Sequence, residues 1–402
     1  MTAKLKKSSM SESPSAVVTW LCIAVAVLEG FELQVAGVAA PRFATVMEMD
    51  ADALGLFFSA STFGLLFGAL GGGWVADRKG RLQVLAGSVI AFGAGSILTG
   101  LSANAEQLVL TRFLTGLGLG GALPNLLALT AENADPGSQK RAVALLYCGV
   151  PIGGMLVSLA GATSGDAWRQ LFIAGGLVSI VVGVLLWRQR SIVKLTASVR
   201  PSQGSGIVSS LFSDGRAVPT LLVWTSFCGA LIILYLVLNW LPMLLSGMGF
   251  SATEALIAQI AFNTGGFFSC LLTAPLLDTR RAWLIALGSF SAVPVLLYTL
   301  SAVAAPLTCI VLSALLGGAI LTTQSLLYSI TPTIYPRGTG GIGTGTAIAW
   351  GRIGSIIGPL YGAVLLSGSS AERDVFVGII PIALVAGIAA VALSFRTASL
   401  RA

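Results

Sequence analysis

Histidine is absent from this chain of 402 residues. Its absence removes the commonest metal ligand and the commonest general base. Charge is scarce too: Asp, Glu, Lys and Arg make up 10% of the residues, against roughly 25% in a soluble domain. So few charges cannot cover a water-facing surface, which excludes a compact soluble enzyme. The cysteines Cys22, Cys148, Cys228, Cys270 and Cys309 form no Cys-x-x-Cys pair and fall inside apolar runs. Neither a metal site nor a disulfide framework is expected from them. No motif asks for a cofactor or a metal, and the chain is not read as an enzyme.

What is present is apolar: 55% of the residues are hydrophobic and the mean hydropathy is +0.90. A membrane helix needs about 20 apolar residues. Runs of that kind fall near 17–39, 53–76, 82–101, 107–131, 142–162, 168–187, 218–241, 255–277, 282–301, 305–329, 341–366 and 375–395. The expectation is an all-α membrane protein of twelve transmembrane helices. The first run follows Lys4, Lys6 and Lys7 as a signal peptide would, but it is too long and carries Glu29 and Glu32, so it reads as a retained span. The 49 glycines suit helices whose backbones approach closely in lipid.

The net charge of +7 is spread over short loops instead of forming a patch, so no nucleic-acid partner is expected. Its distribution reports topology. With the N-terminus inside, one side holds the N-terminal lysines, Arg78, Lys79, Arg81, Lys140, Arg141, Arg188, Arg190, Lys194, Arg200, Arg216, Arg280, Arg281, Arg337, Arg396 and Arg401, while the other holds Arg42, Arg169 and Arg373. The positive-inside rule then places both termini in the cytoplasm of a multi-pass inner-membrane protein. A polar, Ser-rich stretch over 188–217 divides a six-helix half, 1–187, from a second, 218–402, and reads as a cytoplasmic linker. Laid over one another at an offset of about 201 residues, the halves match Pro41 with Pro242, Gly64 with Gly265, Asp77 with Asp278, Gly116 with Gly317 and Gly153 with Gly354. Repeats of this kind place a site at the interface between halves, near the bilayer midplane.

Three segments carry chemistry. The first span reads LEGFELQ, Leu28 to Gln34. Glu29 and Glu32 are three apart and share a helical face. Two carboxylates at membrane depth are costly unless paired or protonated, which is the chemistry of a proton carrier. After the second span comes the short loop GWVADRKGR, Gly73 to Arg81, and the fourth span opens RFLTGLGLGGALPN, Arg112 to Asn125. The loop resembles the G-x-x-x-D-R-x-G-R loop of the major facilitator superfamily, and the fourth-span segment resembles that superfamily's helix-4 motif. LEGFELQ resembles the D-G-x-D signature of its aromatic acid:proton symporter family, with Glu at both Asp positions. LLYCGVPIGG (145–154), LNWLPMLL (238–245) and GTGTAIAWGRIGSIIGP (343–359) look most like the hydroxyphenylpropionate-transporter branch. The second-half gate is degenerate: Asp278-Thr279-Arg280-Arg281 departs from the pattern, and Tyr335-Pro336-Arg337 lacks the Glu common there.

The resemblance implies a major facilitator fold and proton-coupled uptake of an aromatic carboxylate such as a hydroxyphenylpropionate or hydroxybenzoate by alternating access. It implies gating by Gly73, Asp77, Arg78, Gly80 and Arg81, and proton coupling through Glu29, Glu32 and Arg112. Arg352, an intramembrane cation, is the first choice for the substrate carboxylate, with Arg112 the other candidate. Tyr147, Tyr235, Trp240 and Tyr328 offer aromatic walls; Gln34, Asn125, Asn239, Asn263 and Gln324 offer hydrogen bonds. Each of these has a packing alternative, and one Glu pairing Arg112 or Arg352 structurally is an alternative to proton carriage. The expected partners are an aromatic acid, protons and the lipid bilayer, with the protein acting as a monomer. A proton-coupled exporter of the same fold is the alternative function, disfavoured for cationic drugs by Arg352. A membrane sensor is a third, and it would need an output domain that no segment provides.

Overall fold

A computed structural model describes residues 14–133, 146–189, 211–273, 282–335, 340–368 and 371–399. Among them no strand occurs, and helices follow the apolar runs. They are α1 (Pro14–Val46), α2 (Ala51–Lys79), α3 (Arg81–Leu101), α4 (Ala105–Asn133), α5 (Gly149–Thr163), α6 (Trp168–Arg188), α7 (Ala217–Gly247), α8 (Ala252–Thr273), α9 (Ala282–Ser301), α10 (Pro306–Ile330), α11 (Gly340–Gly368) and α12 (Ile380–Ser399). A short helical turn, Arg373–Gly378, leads into α12. Among the described residues, eleven spans are long and apolar enough to cross a membrane; Gly149–Thr163 is shorter, and residues 134–145 lie outside the described set. Several helices overrun their apolar runs, because backbone hydrogen bonding continues into polar ends. Most of the expected linker, together with Asp278–Arg281, Pro336 and Arg337, lies outside the described residues.

Short polar residues set the helix ends. Asp50 caps α2 by accepting from the Ala53 amide at 2.8 Å. Ser251 and Glu254 form a reciprocal capping box at the start of α8. Arg169 donates to the carbonyls of Gly100 and Ser102 at 2.9 and 2.6 Å, which puts a cation at the carbonyl end of α3. Gly80 joins α2 to α3 at φ 94°, a conformation that costs any residue with a Cβ.

The internal repeat is visible as packing. The Gly64 Cα lies against the Phe113 carbonyl, and Gly116 lies against that of Ser61, so α2 and α4 touch backbone to backbone. Gly265 against Ala314 and Gly317 against Phe262 repeat this between α8 and α10. Likewise Gly153 meets Val27 between α5 and α1, and Gly354 meets Cys228 between α11 and α7. Each second-half pair is its first-half pair displaced by 201 residues on both members. A side chain at any of these glycines would collide with backbone, which cannot swing aside, so glycine is what permits the close approach.

The core has three parts. One buried cluster, from Val18 to Leu186, belongs to the first half alone. A second, from Val223 to Leu393, belongs to the second half alone. The third is shared: Phe43, Phe57, Phe58 and Phe172 pack with Ile233, Trp240, Leu244 and Phe262. By chain alternation the shared cluster lies toward the end opposite the Gly73–Arg81 segment. That opposite end is called here the far end, and the other the basic end. Outward faces carry Leu272, Leu307 and Ile388, as lipid contact requires.

Helices α2 and α11 show how the halves meet. At the far end Gly55 lies against Ala363 and Pro359. There Ser59 donates to the Ile356 carbonyl at 2.9 Å and Ser367 to Asp52 at 3.1 Å. At the basic end, a Cβ on Gly71 or Gly73 of α2, or on Gly345 of α11, would meet open space. Helices α2 and α11 are thus in contact at the far end and leave open space beside these glycines at the basic end.

Candidate functional site

The first span places its two carboxylates in different surroundings. Glu32 is 0% exposed, and neither carboxylate oxygen has a hydrogen-bond partner. Oε1 lies beside Gly175 of α6, and Ser96 is adjacent, although its hydroxyl donates to the Phe172 carbonyl at 3.0 Å. The nearby cation is Arg112 of α4, 1% exposed. Arg112 donates from Nη2 to the Glu32 backbone carbonyl at 3.1 Å, while Nε and Nη1 are unpartnered. The rings of Phe57 and Phe172 flank its guanidinium at 5.8 and 6.0 Å from their centroids. All of these groups belong to the first half.

Glu29 is 2% exposed, and its Oε2 also lacks a partner. The cation that acts on it is Arg352 of α11, in the second half. Arg352 is half-buried and donates from Nη1 to the Tyr235 hydroxyl at 3.0 Å. Tyr147 at the entrance to α5, Tyr235 of α7 and Tyr328 of α10 all lie within electrostatic reach of its guanidinium. The rings of Tyr147 and Tyr328 meet across the halves at 6.0 Å with 34° between planes. Phe227 meets Tyr328 edge-on at 5.3 Å. Five helices from both halves thus bring one acid, one cation and three phenols together. One Arg352 nitrogen is occupied by the Tyr235 hydroxyl.

The expected hydrogen-bonding residues divide. Gln34 belongs to an amide cluster across the halves: its Nε2 donates to Asn263 Oδ1 at 3.0 Å, and its Oε1 accepts from Asn263 and Gln259 at 2.8 and 2.9 Å. Asn125 and Asn239 donate to carbonyls of their own helices, Gly121 and Tyr235. The Trp240 indole donates to the Pro359 carbonyl at 3.0 Å, and its ring packs on Phe58 at 5.2 Å. Gln34, Asn263 and Trp240 thus join helices, whereas Asn125 and Asn239 bond back to their own helices. Gln324 differs: it is 6% exposed, with neither amide atom partnered.

In the Gly73–Arg81 segment, Arg81 pairs with Glu132 at the end of α4 at 2.9 Å. Glu132 and Gln259 were not foreseen from sequence. An acid at the end of the fourth span was the available signal for the first, and the four-residue spacing of Gln259 and Asn263 for the second. Arg78 lies over the Trp74 ring at 3.4 Å. Asp77 makes no ion pair among the described residues and stands exposed at the basic end.

A family model described as Major Facilitator Superfamily matches residues 22–359. The chain is 37% identical over 390 residues to the 3-(3-hydroxy-phenyl)propionate transporter of Escherichia coli (strain K12), covering 96% of each chain. It is 29% identical to the 4-hydroxybenzoate transporter PcaK of Pseudomonas aeruginosa, covering 90% of this chain and 89% of that one. Among solved structures, the D-xylose-proton symporter superposes with a TM-score of 0.76 at 18% identity, over 96% of this chain and 97% of the other; that likeness is one of fold.

Proposed function

This chain belongs to the major facilitator superfamily of transporters, and we propose that it takes up an aromatic carboxylate together with protons across the inner membrane by alternating access. The observation that carries this reading is the Arg352 site. A half-buried guanidinium stands at the interface of the halves, ringed by Tyr147, Tyr235 and Tyr328 and opposed by Glu29. A guanidinium fork matches a carboxylate in two-point geometry, and the phenol rings supply faces for an aromatic ring. The two relatives named above are transporters of aromatic acids.

Coupling follows from charge balance. With Glu29 ionised, Arg352 is already neutralised and an entering anion leaves the buried site with a net negative charge. With Glu29 protonated, Arg352 is free and the bound anion restores neutrality. The two neutral states are the empty site without the proton and the loaded site with it. Proton and anion therefore enter together. One proton per monovalent anion moves no net charge and draws only on the pH difference, about 1.4 kcal/mol per unit. A second proton, on Glu32, recruits the membrane potential at about 2.3 kcal/mol per 100 mV.

The basic end faces the cytoplasm in this reading, and the open space beside α2 and the start of α11 there supports an inward-facing reading of the site. Gly73, Asp77, Arg78, Gly80 and Arg81 then act as the inner gate of the first half, closing when α2 meets the start of α11. Purified protein in vesicles tests the whole reading. Labelled 3-(3-hydroxyphenyl)propionate or 4-hydroxybenzoate should accumulate when the outside is acidic and should equilibrate when protonophore is added. Accumulation that ignores the pH gradient removes the coupling, and uptake no faster than in protein-free vesicles removes the substrate class.

A further inference from the structure

Gln324 is the one expected ligand group whose amide stays wholly unengaged. It sits on α10 four residues before Tyr328, so the two side chains share a helix face about 6 Å apart along the axis. Tyr328 meets Tyr147 and Phe227 and lies within reach of Arg352. Since α10 runs from the far end toward the basic end, Gln324 lies one turn deeper than Tyr328, toward the closed side of the site. It is nine-tenths buried with both Oε1 and Nε2 unpartnered. The neighbouring polar side chains do not help it: the Thr323 hydroxyl donates to the Ile320 carbonyl. A buried amide with donor and acceptor both unused is costly, and it is chemically the complement of a hydroxyl, which is donor and acceptor on one atom.

We infer that Gln324 reads a ring hydroxyl of the substrate, accepting its proton on Oε1 and donating from Nε2 to its oxygen, while Arg352 holds the carboxylate. This rests on the aromatic-acid reading above and adds the group that distinguishes a hydroxylated acid from its unsubstituted analogue. The site then has two polar poles, with the Tyr147 and Tyr328 rings beside the path between them. Its selectivity comes from an asymmetry: an unsubstituted ring leaves the buried amide unpaired, whereas the hydroxylated ring satisfies it.

The test is equilibrium binding of 3-(3-hydroxyphenyl)propionate and 3-phenylpropionate to purified wild type, Gln324→Leu and Gln324→Met. Met retains the length and flexibility of Gln without the amide, so it separates recognition from packing. Wild type should prefer the hydroxylated acid about tenfold or more. Both variants should lose about that factor for the hydroxylated acid and keep wild-type affinity, or better, for the unsubstituted one. Equal affinity of wild type for both acids overturns the inference, and so does a variant that weakens both acids alike, which marks a packing role. Both of those outcomes leave the carboxylate site standing. Binding of neither acid to wild type overturns the aromatic-acid reading and this inference with it.

Discussion

Glu29 and Glu32 stand three residues apart on α1, and each faces an arginine. The Glu32–Arg112 pocket is built wholly from the first half, with Gly175, Ser96, Phe57 and Phe172 closing it. The Glu29–Arg352 site takes its acid from one half and its cation from the other. In the proposed alternating-access cycle, this difference is physical. A pair inside one half travels with it and keeps its geometry, so its energy is constant through the cycle. A pair across the halves changes separation as they rock, so its energy differs between states. Only such a difference can bias an equilibrium between conformations. The central site is thus suited to couple ligand, proton and shape, and the Arg112 pocket to hold a half together or to store a proton.

The largest effect expected from breaking this comparison is on stability. Arg112→Ala leaves Glu32 buried without its cation and should cost about 3–5 kcal/mol, read as a lowered Tm in detergent. Arg352→Ala removes a half-buried group and should lower the Tm less. A larger drop for Arg352→Ala reverses the assignment of the two sites.

Ligand binding should show the opposite order. Arg352→Ala should weaken the aromatic acid at least about 100-fold, near 2.7 kcal/mol, since the carboxylate loses its paired donors. Arg352→Lys retains the charge without the fork and should fall between wild type and Ala. A neutral amide analogue should lose less than the acid. Equal losses for acid and amide in binding isotherms move Arg352 from the ligand to the coupling network.

Proton coupling is the next smaller effect. In wild type the apparent affinity should tighten as pH falls, because protonation of Glu29 frees Arg352. Glu29→Gln mimics the protonated form, so its affinity should be pH-independent, and counterflow exchange should survive. Accumulation driven by one pH unit, about tenfold at most for one proton, should be lost in Glu29→Gln, whereas Glu32→Gln should lose only the part driven by the membrane potential. Wild-type accumulation by both variants ends the proton-carrier role of this helix.

The smallest effect belongs to the gate. The Arg81–Glu132 pair is about a third exposed on both sides, so a double-mutant cycle should give a coupling under about 1 kcal/mol. Asp77→Asn should slow transport while leaving equilibrium binding nearly intact, since a gate shifts populations without touching ligand. A loss of binding as large as the loss of transport argues against a gate.

Much of the fold was legible because lipid imposes simple rules. Apolar runs marked the helices, and the Gly64, Gly116 and Gly153 matches with Gly265, Gly317 and Gly354 marked the close approaches. The structure shows those approaches as identical helix pairs in both halves. The candidate site was legible in part. Glu29, Arg112, Tyr147, Tyr328 and Arg352 were visible as polar or aromatic groups in apolar surroundings, but spacing placed Glu29 and Glu32 on one face and said nothing of which arginine each would meet. Gln34, Asn125, Asn239, Trp240 and Gln324 looked alike in sequence. Their partners, which separate Gln324 from the rest, lie on other helices or on the backbone, and periodicity carries no information about those.

By itself the sequence determined that this is a helical membrane protein with a two-fold internal repeat, because hydrophobic length and glycine spacing act locally along each helix. Tertiary structure decided which polar groups face one another. Glu29 comes within electrostatic reach of Arg352 only because α1 and α11, from opposite halves, both border the same central site. Glu32 meets Arg112 only because α4 crosses α1 within one half. Electrostatic energy depends on distance in space and on local burial, and neither quantity is written in the order of residues along the chain.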